Sequence, residues 1–110
     1  MTITEKKIAQ SYPAATTNTT VYTVPAATKT IVRNILFCNT TGANISVRLF
    51  AVPNGGSAGV SNALFYDFEI PLNIAISKNL YLILDTPGDF LVVYAASEGV
   101  CFTISGAELT

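Results

Sequence analysis

The sequence predicts an all-β fold: an antiparallel two-sheet sandwich of about eight strands with a jelly-roll-like arrangement. Short segments rich in β-branched and aromatic residues recur along the chain, turn residues separate them, and helical periodicity is nearly absent. This pattern is typical of a sandwich or a barrel. The chain has no tryptophan, and its two cysteines lack the spacing of an immunoglobulin domain. Both absences favour the jelly roll over an immunoglobulin-like fold.

The individual strands are predicted from alternation and from the turn residues between them. In the clearest strand, Ile31, Arg33, Ile35 and Phe37 share one face, and both faces are largely apolar from Ile35 onward. A central strand covered on two sides has this pattern. The predicted strands span residues 3–10, 19–24, 29–38, 44–52, 62–70, 78–84, 90–96 and 100–105, and residues 53–59 form a glycine-rich loop.

The length predicts one β-sandwich domain over residues 1–110, because a second independent core would be too small to be stable. Residues 1–18 are interpreted either as a first, partly exposed strand or as an arm. No internal repeat and no shift in composition marks a domain boundary.

The chain has few charged residues to keep its surface apart from other proteins. Only 12% of the residues are charged, 50% are hydrophobic and the mean hydropathy is +0.46, whereas about 25% charged residues is usual. No apolar run approaches the length that crosses a membrane. A surface of this kind is usually covered by protein, so we expect an oligomer or an assembly component, with a monomer coated by Ser, Thr and Asn as the alternative. The six basic residues are scattered, which argues against a nucleic-acid partner.

The sequence predicts no enzyme and no cofactor. Histidine is absent, which removes the commonest general base and metal ligand. Asp67 and Glu69 share one strand face, but alternation makes that face the solvent side, opposite Tyr66 and Phe68. Asp85 and Asp89 flank a Pro-Gly turn and are interpreted as turn residues rather than calcium ligands.

The two cysteines, Cys38 and Cys101, lie in apolar runs. Free cysteine in such a setting behaves as a small buried hydrophobe. A disulfide between them requires that their strands be neighbours, and the sequence leaves that alternative open.

Aromatic residues supply the candidate contact sites. Alternation places Phe50 on an outward face beside Arg48, and the near-consecutive Phe65, Tyr66 and Phe68 force at least one ring away from the core. Exposed aromatics next to arginine are typical of protein-interface hot spots. A carbohydrate-binding platform is the alternative, although such platforms usually contain the tryptophan that is missing here.

The chain also resembles small virion proteins of tailed phages and prophages, from about Tyr22 to the C-terminus. The resemblance lies in a YTVPA opening followed by Lys29, a CNT turn at 38–40 and a GGSAG loop at 55–59. It implies a jelly-roll-like capsid decoration or cement protein that binds the major capsid protein, tends to form dimers and bridges seams between capsid subunits.

This resemblance implies a location on the capsid surface after synthesis in the host cytoplasm, and the N-terminus lacks the features of a signal peptide. Similar modules also occur on tail fibres, so a carbohydrate-binding or adhesion module is the alternative. Residues 1–10 lie outside the match and are expected to reach a neighbouring subunit, with Ile3 and Ile8 as contacts.

Overall fold

The computed structural model describes all 110 residues and contains two four-stranded antiparallel sheets. Sheet I has the order β1-β8-β3-β6, and sheet II has the order β2-β7-β4-β5. The strands are β1 (Ile3–Ser11), β2 (Thr19–Thr23), β3 (Lys29–Asn39), β4 (Ile45–Val52), β5 (Ala63–Ile70), β6 (Ala75–Leu84), β7 (Phe90–Ala95) and β8 (Val100–Leu109), and a single 3-10 turn, Val60–Asn62, precedes β5. None of its segments forms a helix that is long and apolar enough to span a bilayer.

The chain crosses between the sheets at almost every connection, and only β4 and β5 are joined within one sheet. This order is that of a jelly roll built from two Greek keys, which confirms the predicted fold class. The inward faces of both sheets form one apolar core. At its centre the Phe37 ring makes edge-on contacts with the rings of Phe65, Phe68 and Phe102, with centroids 5.4 to 5.7 Å apart.

The predicted strands all form, but two of them are longer, by three or more residues, than alternation indicated. β6 begins at Ala75, and β8 continues to Leu109. Gly106 and Ala107 are weak strand formers, but β8 continues through both of them. Gly106 is nevertheless required here, since a Cβ atom at this position would lie 1.9 Å from the backbone oxygen of Ile31.

A bulge in β3 overturns one predicted set of faces. The register shifts around Arg33, so Thr30 and Val32 point into the core before the bulge, and Ile35 and Phe37 do so after it. The prediction that Ile31 and Arg33 share the face of Ile35 is therefore wrong. The outer face of β3 also stays partly open within this chain.

A second bulge, in β5, changes the predicted faces there as well. Asp67 adopts a φ of 53°, in the left-handed region that non-glycine residues rarely occupy. The extra residue turns both Phe65 and Phe68 towards the core and leaves Tyr66 exposed. The prediction that Tyr66 and Phe68 share a face is wrong, because strict alternation does not survive an inserted residue.

The N-terminal segment is a strand of sheet I and not a projecting arm. β1 pairs with β8 from Ile3 opposite Leu109 to Ser11 opposite Phe102. Its register shifts around Ile8, and Ile8 and Ala9 are both buried. Register shifts also interrupt the pairing of the other three edge strands: β2, β5 and β6.

Candidate interaction surfaces

A cluster around Arg48 forms the most organised site on the outer face of sheet II. The Arg48 Cζ atom lies 4.2 Å from the centroid of the Tyr66 ring and 4.5 Å from that of Tyr94. Its Nε donates a 2.7 Å hydrogen bond to Oδ1 of Asp67. We call Arg48, Tyr66, Asp67 and Tyr94 the arginine cluster.

Backbone pairing explains how the arginine cluster forms. Tyr94 on β7 is directly opposite Arg48 on β4, and directly opposed residues project from the same face. Tyr66 and Asp67 reach the same site from β5 because the bulge brings successive residues to the outer side. The hydrogen bond to Asp67 is the main cause that raises the pKa of Arg48 above its usual value. The hydrogen bond to Asp67 and the two ring contacts together define the orientation of the guanidinium.

This arrangement suits contact with another protein. Tyr66 is 47% exposed, and the Arg48 side chain is 26% exposed. A guanidinium stacked on aromatic rings loses little freedom on binding and keeps donors free for backbone oxygens. Tyrosine and arginine are also the residues enriched at interface hot spots.

Phe50 does not contribute to this exposed site, and the expectation that it faces solvent is wrong. It points outward from sheet II but is only 2% exposed. With Val52 and Val92 it forms a second apolar cluster, against which Ala58 and Ala63 pack. The connection between β4 and β5 therefore covers this part of the sheet.

Phe65 is likewise turned away from the surface. Its ring contacts Phe37, and the centroids are 5.4 Å apart. Tyr66 points to the opposite side of the strand and contacts Phe50 edge-on. Of these two rings, only Tyr66 is therefore available to a ligand at the surface.

The outer face of sheet I carries a second exposed surface, which is mainly apolar. Cross-strand pairs place Ile3 opposite Leu109 and Ile31 opposite Ile83. Ile3 is 62% exposed, and Tyr81, beside this surface, is 68% exposed. The Arg33 Cζ atom lies 5.5 Å from the centroid of the Tyr81 ring. We call Ile3, Ile31, Ile83 and Leu109 the apolar strip.

A shallow depression of about 270 Å³ lies within this surface. Its lining is Ile3, Glu5, Ile31, Arg33, Gly106, Ala107 and Leu109. One acid, Glu5, and one base, Arg33, lie at its border. Ile8, by contrast, is 7% exposed and belongs to the core, so it is not available as a surface contact.

Sequence reasoning missed several of these surface residues. Tyr94 could be found only from the pairing of β4 with β7, which is not visible in the sequence. Alternation places Ile31 on the face of Ile35 and Phe37, and only the bulge at Arg33, which the sequence does not indicate, turns it to the outer face. The exposure of Tyr81 and Ile83 could have been predicted from the sequence, since these residues alternate with Leu80, Leu82 and Leu84.

The carboxylates do not form a catalytic pair. Asp67 accepts a hydrogen bond from Arg48, whereas Oε1 of the exposed Glu69 accepts one from Asn44 at 3.1 Å. Oδ1 of Asp89 accepts a hydrogen bond from the backbone N–H of Asn54 at 2.9 Å. No three His, Cys, Asp or Glu side chains lie close enough together to hold a metal ion.

One polar network connects the two sheets at the end of the sandwich. The Tyr22 hydroxyl on β2 donates to Oε2 of Glu108 at 2.5 Å and also bonds Oγ1 of Thr30 at 2.6 Å. Lys6 binds the other Glu108 oxygen at 3.2 Å. Burial, followed by the Glu108 bond, raises the pKa of Tyr22 to about 12. The same hydrogen bond is the main cause that lowers the pKa of Glu108.

No family model matches the chain, and no curated protein sequence matches it. Among solved structures, it is similar to a chain of infectious bursal disease virus, Gx strain, with a TM-score of 0.53 and 12% identity, over 97% of this chain and 31% of that chain. It is also similar to a chain of the T13 IBDV viral particle, with a TM-score of 0.54 and 8% identity, over 97% of this chain and 29% of that one.

The coat protein of Tobacco streak virus covers 96% of this chain and 83% of its own at 8% identity, but its TM-score of 0.39 is too low to indicate a common fold. The chain spans about a third of the length of the two chains with higher TM-scores. At such low identity the similarity shows the fold alone. The protein therefore shares its sandwich fold with part of chains from a virus particle.

Proposed function

We propose that this protein is a non-enzymatic structural protein of a virion, a decoration or cement protein that binds the outside of a tailed-phage capsid and stabilises the seams between capsid subunits. The observation that carries the proposal is the presence of two different exposed contact surfaces on opposite outer faces of one sandwich. A molecule with two such surfaces can bind two neighbours at once, as a seam requires.

Two further observations support this proposal. The low charge content leaves much of the surface suited to protein contact. The fold is shared with part of chains from a virus particle, and the YTVPA, CNT and GGSAG segments resemble those of tailed-phage decoration proteins. Many copies that each bind one shell weakly would together stabilise it through avidity.

The apolar strip is the surface that we assign to self-association. Glu5 and Arg33 both border its depression, so a twofold axis through the depression would place the acid of one copy against the base of the other. Such a self-complementary arrangement is what an isologous dimer needs. The arginine cluster, whose acid is already paired with Arg48, is then assigned to the major capsid protein.

Oligomeric state tests this assignment. Light scattering during gel filtration should give a dimer for the wild-type chain and a monomer for Ile83→Glu. Val60→Glu is the matched control, because Val60 is exposed in the β4–β5 connection, outside the apolar strip. A wild-type monomer, or equal behaviour of the two variants, would reject the assignment.

The copy number per purified particle tests the proposed function itself. Quantitative mass spectrometry against the major capsid protein should give a copy number comparable to that of the capsid protein. A few to a few tens of copies would place the chain on the tail instead. Absence from the particle would overturn a virion role.

The alternative function is a carbohydrate-binding or adhesion module of a tail or fibre. One observation favours it, namely the exposed Tyr66 ring beside the partly free carboxylate of Asp67. Glycan binding that Tyr66→Ala abolishes would support this alternative, and no binding on a glycan array would remove it.

A further inference from the structure

The two cysteines are directly opposed across the central strands of sheet I. Cys38 on β3 pairs in register with Cys101 on β8, and both side chains are partly exposed. The next pair, Asn39 and Val100, is buried. Because successive side chains of a strand point to opposite faces, both thiols lie on the outer face of the sheet.

The ladder next to the cysteines defines the geometry of this pair. The backbone N–H of Thr40 donates to the carbonyl oxygen of Gly99 at 2.9 Å. Pairs two residues apart are of the same type in an antiparallel ladder, so Cys38 and Cys101 form a hydrogen-bonded pair, with Cα atoms about 5.5 Å apart. This Cα separation lies within the range that a disulfide spans. The Cβ atoms of a hydrogen-bonded pair lie about 5.5 Å apart, so the strands must approach each other by about 1 Å for the bond to form, and a bond strained in this way is readily reduced.

We propose that Cys38 and Cys101 are a dithiol site that a low-molecular-weight disulfide oxidises reversibly to a cross-strand disulfide. One thiolate attacks the external disulfide, forms a mixed disulfide and releases one external thiol. The second cysteine then attacks the protein sulfur of that mixed disulfide and releases the second external thiol. Two protein S–H groups become one S–S bond, and one external disulfide is reduced to two thiols that take up both protons.

The surroundings leave this pair free to react. The outward-facing neighbours of the two cysteines, across and along the strands, are Leu36, Ala75 and Thr103. None of these side chains has a group that would react with a thiol. No metal-binding cluster includes either cysteine. Access from solvent is required for exchange, and partial exposure of both residues supplies it.

The cross-link would join strands that are distant in sequence. It would close the chain from residue 38 to residue 101, which contains β4, β5, β6 and β7, and so would restrict the unfolded chain strongly. Under the proposed function, the pair would be reduced in the cytoplasm during assembly and oxidised after release from the cell. The chemistry itself does not depend on that function.

The test uses the purified full-length chain in native buffer, equilibrated with defined ratios of oxidised to reduced glutathione. Intact mass should fall by two hydrogens, and digestion should yield one peptide pair that links Cys38 to Cys101. The unfolding temperature should rise by roughly 5 to 15 °C and return on reduction.

Cys38→Ser and Cys101→Ser are the matched controls. Each should keep the unfolding temperature of the reduced wild type, accumulate a glutathione adduct on its remaining thiol and show no oxidative increase in stability. Free thiols at the most oxidising ratio, stable adducts on both wild-type cysteines, or linkage only between molecules would each overturn the proposal. Because no particle is present, failure here is distinct from failure of the virion role.

Discussion

The outer faces of the two sheets differ, although similar alternating strands build them. On sheet II, the connection between β4 and β5 covers Phe50, and what remains exposed is the arginine cluster. On sheet I nothing in the chain covers the apolar strip, so Ile3 and Ile83 remain exposed. An outward apolar residue is therefore part of the packed interior of the chain on one face and remains exposed to solvent on the other.

The sharpest test of this difference is removal of one aromatic side chain from each face. Phe50→Ala should lower the free energy of unfolding by about 3 to 4 kcal/mol, because it empties a buried site. Tyr81→Ala is the matched variant on sheet I and should lower it by less than about 1 kcal/mol. Urea unfolding of both variants checks this. Equal losses would mean that the β4–β5 connection does not protect Phe50.

The next largest effect concerns the close approach of β8 to β3. Gly106→Ala should lower the free energy of unfolding by about 2 to 3 kcal/mol, because the added Cβ would force the strands apart. Gly42→Ala provides the control, since no atom lies within 4 Å of its added Cβ. Denaturant unfolding should separate the two variants, and a neutral Gly106→Ala would contradict the observed strand separation.

The hydrogen-bond network of Tyr22 and Glu108 between the sheets should make the free energy of unfolding depend on pH in the acidic range. Because folding lowers the pKa of Glu108, its contribution is present above the ordinary value of 4.5 and is lost as the pH falls through the folded pKa. The loss should be about 1 kcal/mol after allowance for solvent screening. Thermal unfolding from pH 7 to pH 3 measures it. Glu108→Gln should show a shallower decline, and an identical decline would exclude this carboxylate as a source.

The arginine cluster should have the smallest effect on stability. Arg48→Ala should change the free energy of unfolding by less than about 1 kcal/mol, because the ion pair with Asp67 is exposed. The affinity of the Arg48→Ala variant for purified particles that lack the wild-type chain should nevertheless fall by about tenfold or more. Lys7→Ala is the control, because it removes an exposed positive charge outside both surfaces, and it should keep full particle affinity. A cluster that contributes only to folding would show the opposite pattern.

Sequence reasoning predicted the strands well because the signals for them are local. Alternation along β4 and the turn residues around Asn39 and Gly88 need no knowledge of the neighbours. The positions of the bulges are different, because the pairing of three strands determines them. The extra residues at Arg33 and Asp67 changed the faces of Ile31 and Tyr66, and neither change left a mark in the sequence.

The candidate contact residues also fall into two groups: those that local sequence signals indicate and those whose exposure depends on the tertiary structure. The arginine beside an outward aromatic residue indicates Arg48, and the near-consecutive aromatic residues indicate Tyr66; both signals are local. Phe50 and Phe65 were misassigned because burial depends on a connection that folds back and on a bulge. Ile3 is expected from the sequence as a contact in a projecting arm. It lies instead in the edge strand β1, and it is exposed because nothing in the chain covers the outer face of sheet I.

The interrupted register of all four edge strands has a consequence for behaviour at high concentration. Sandwich edges expose unpaired backbone groups that can add strands from other molecules and grow into fibrils. The extra residues around Ile8, Val21, Asp67 and Tyr81 bend each edge and break the run of free donors and acceptors. A protein with few charges to repel its copies is thereby protected against open-ended polymerisation through its sheet edges.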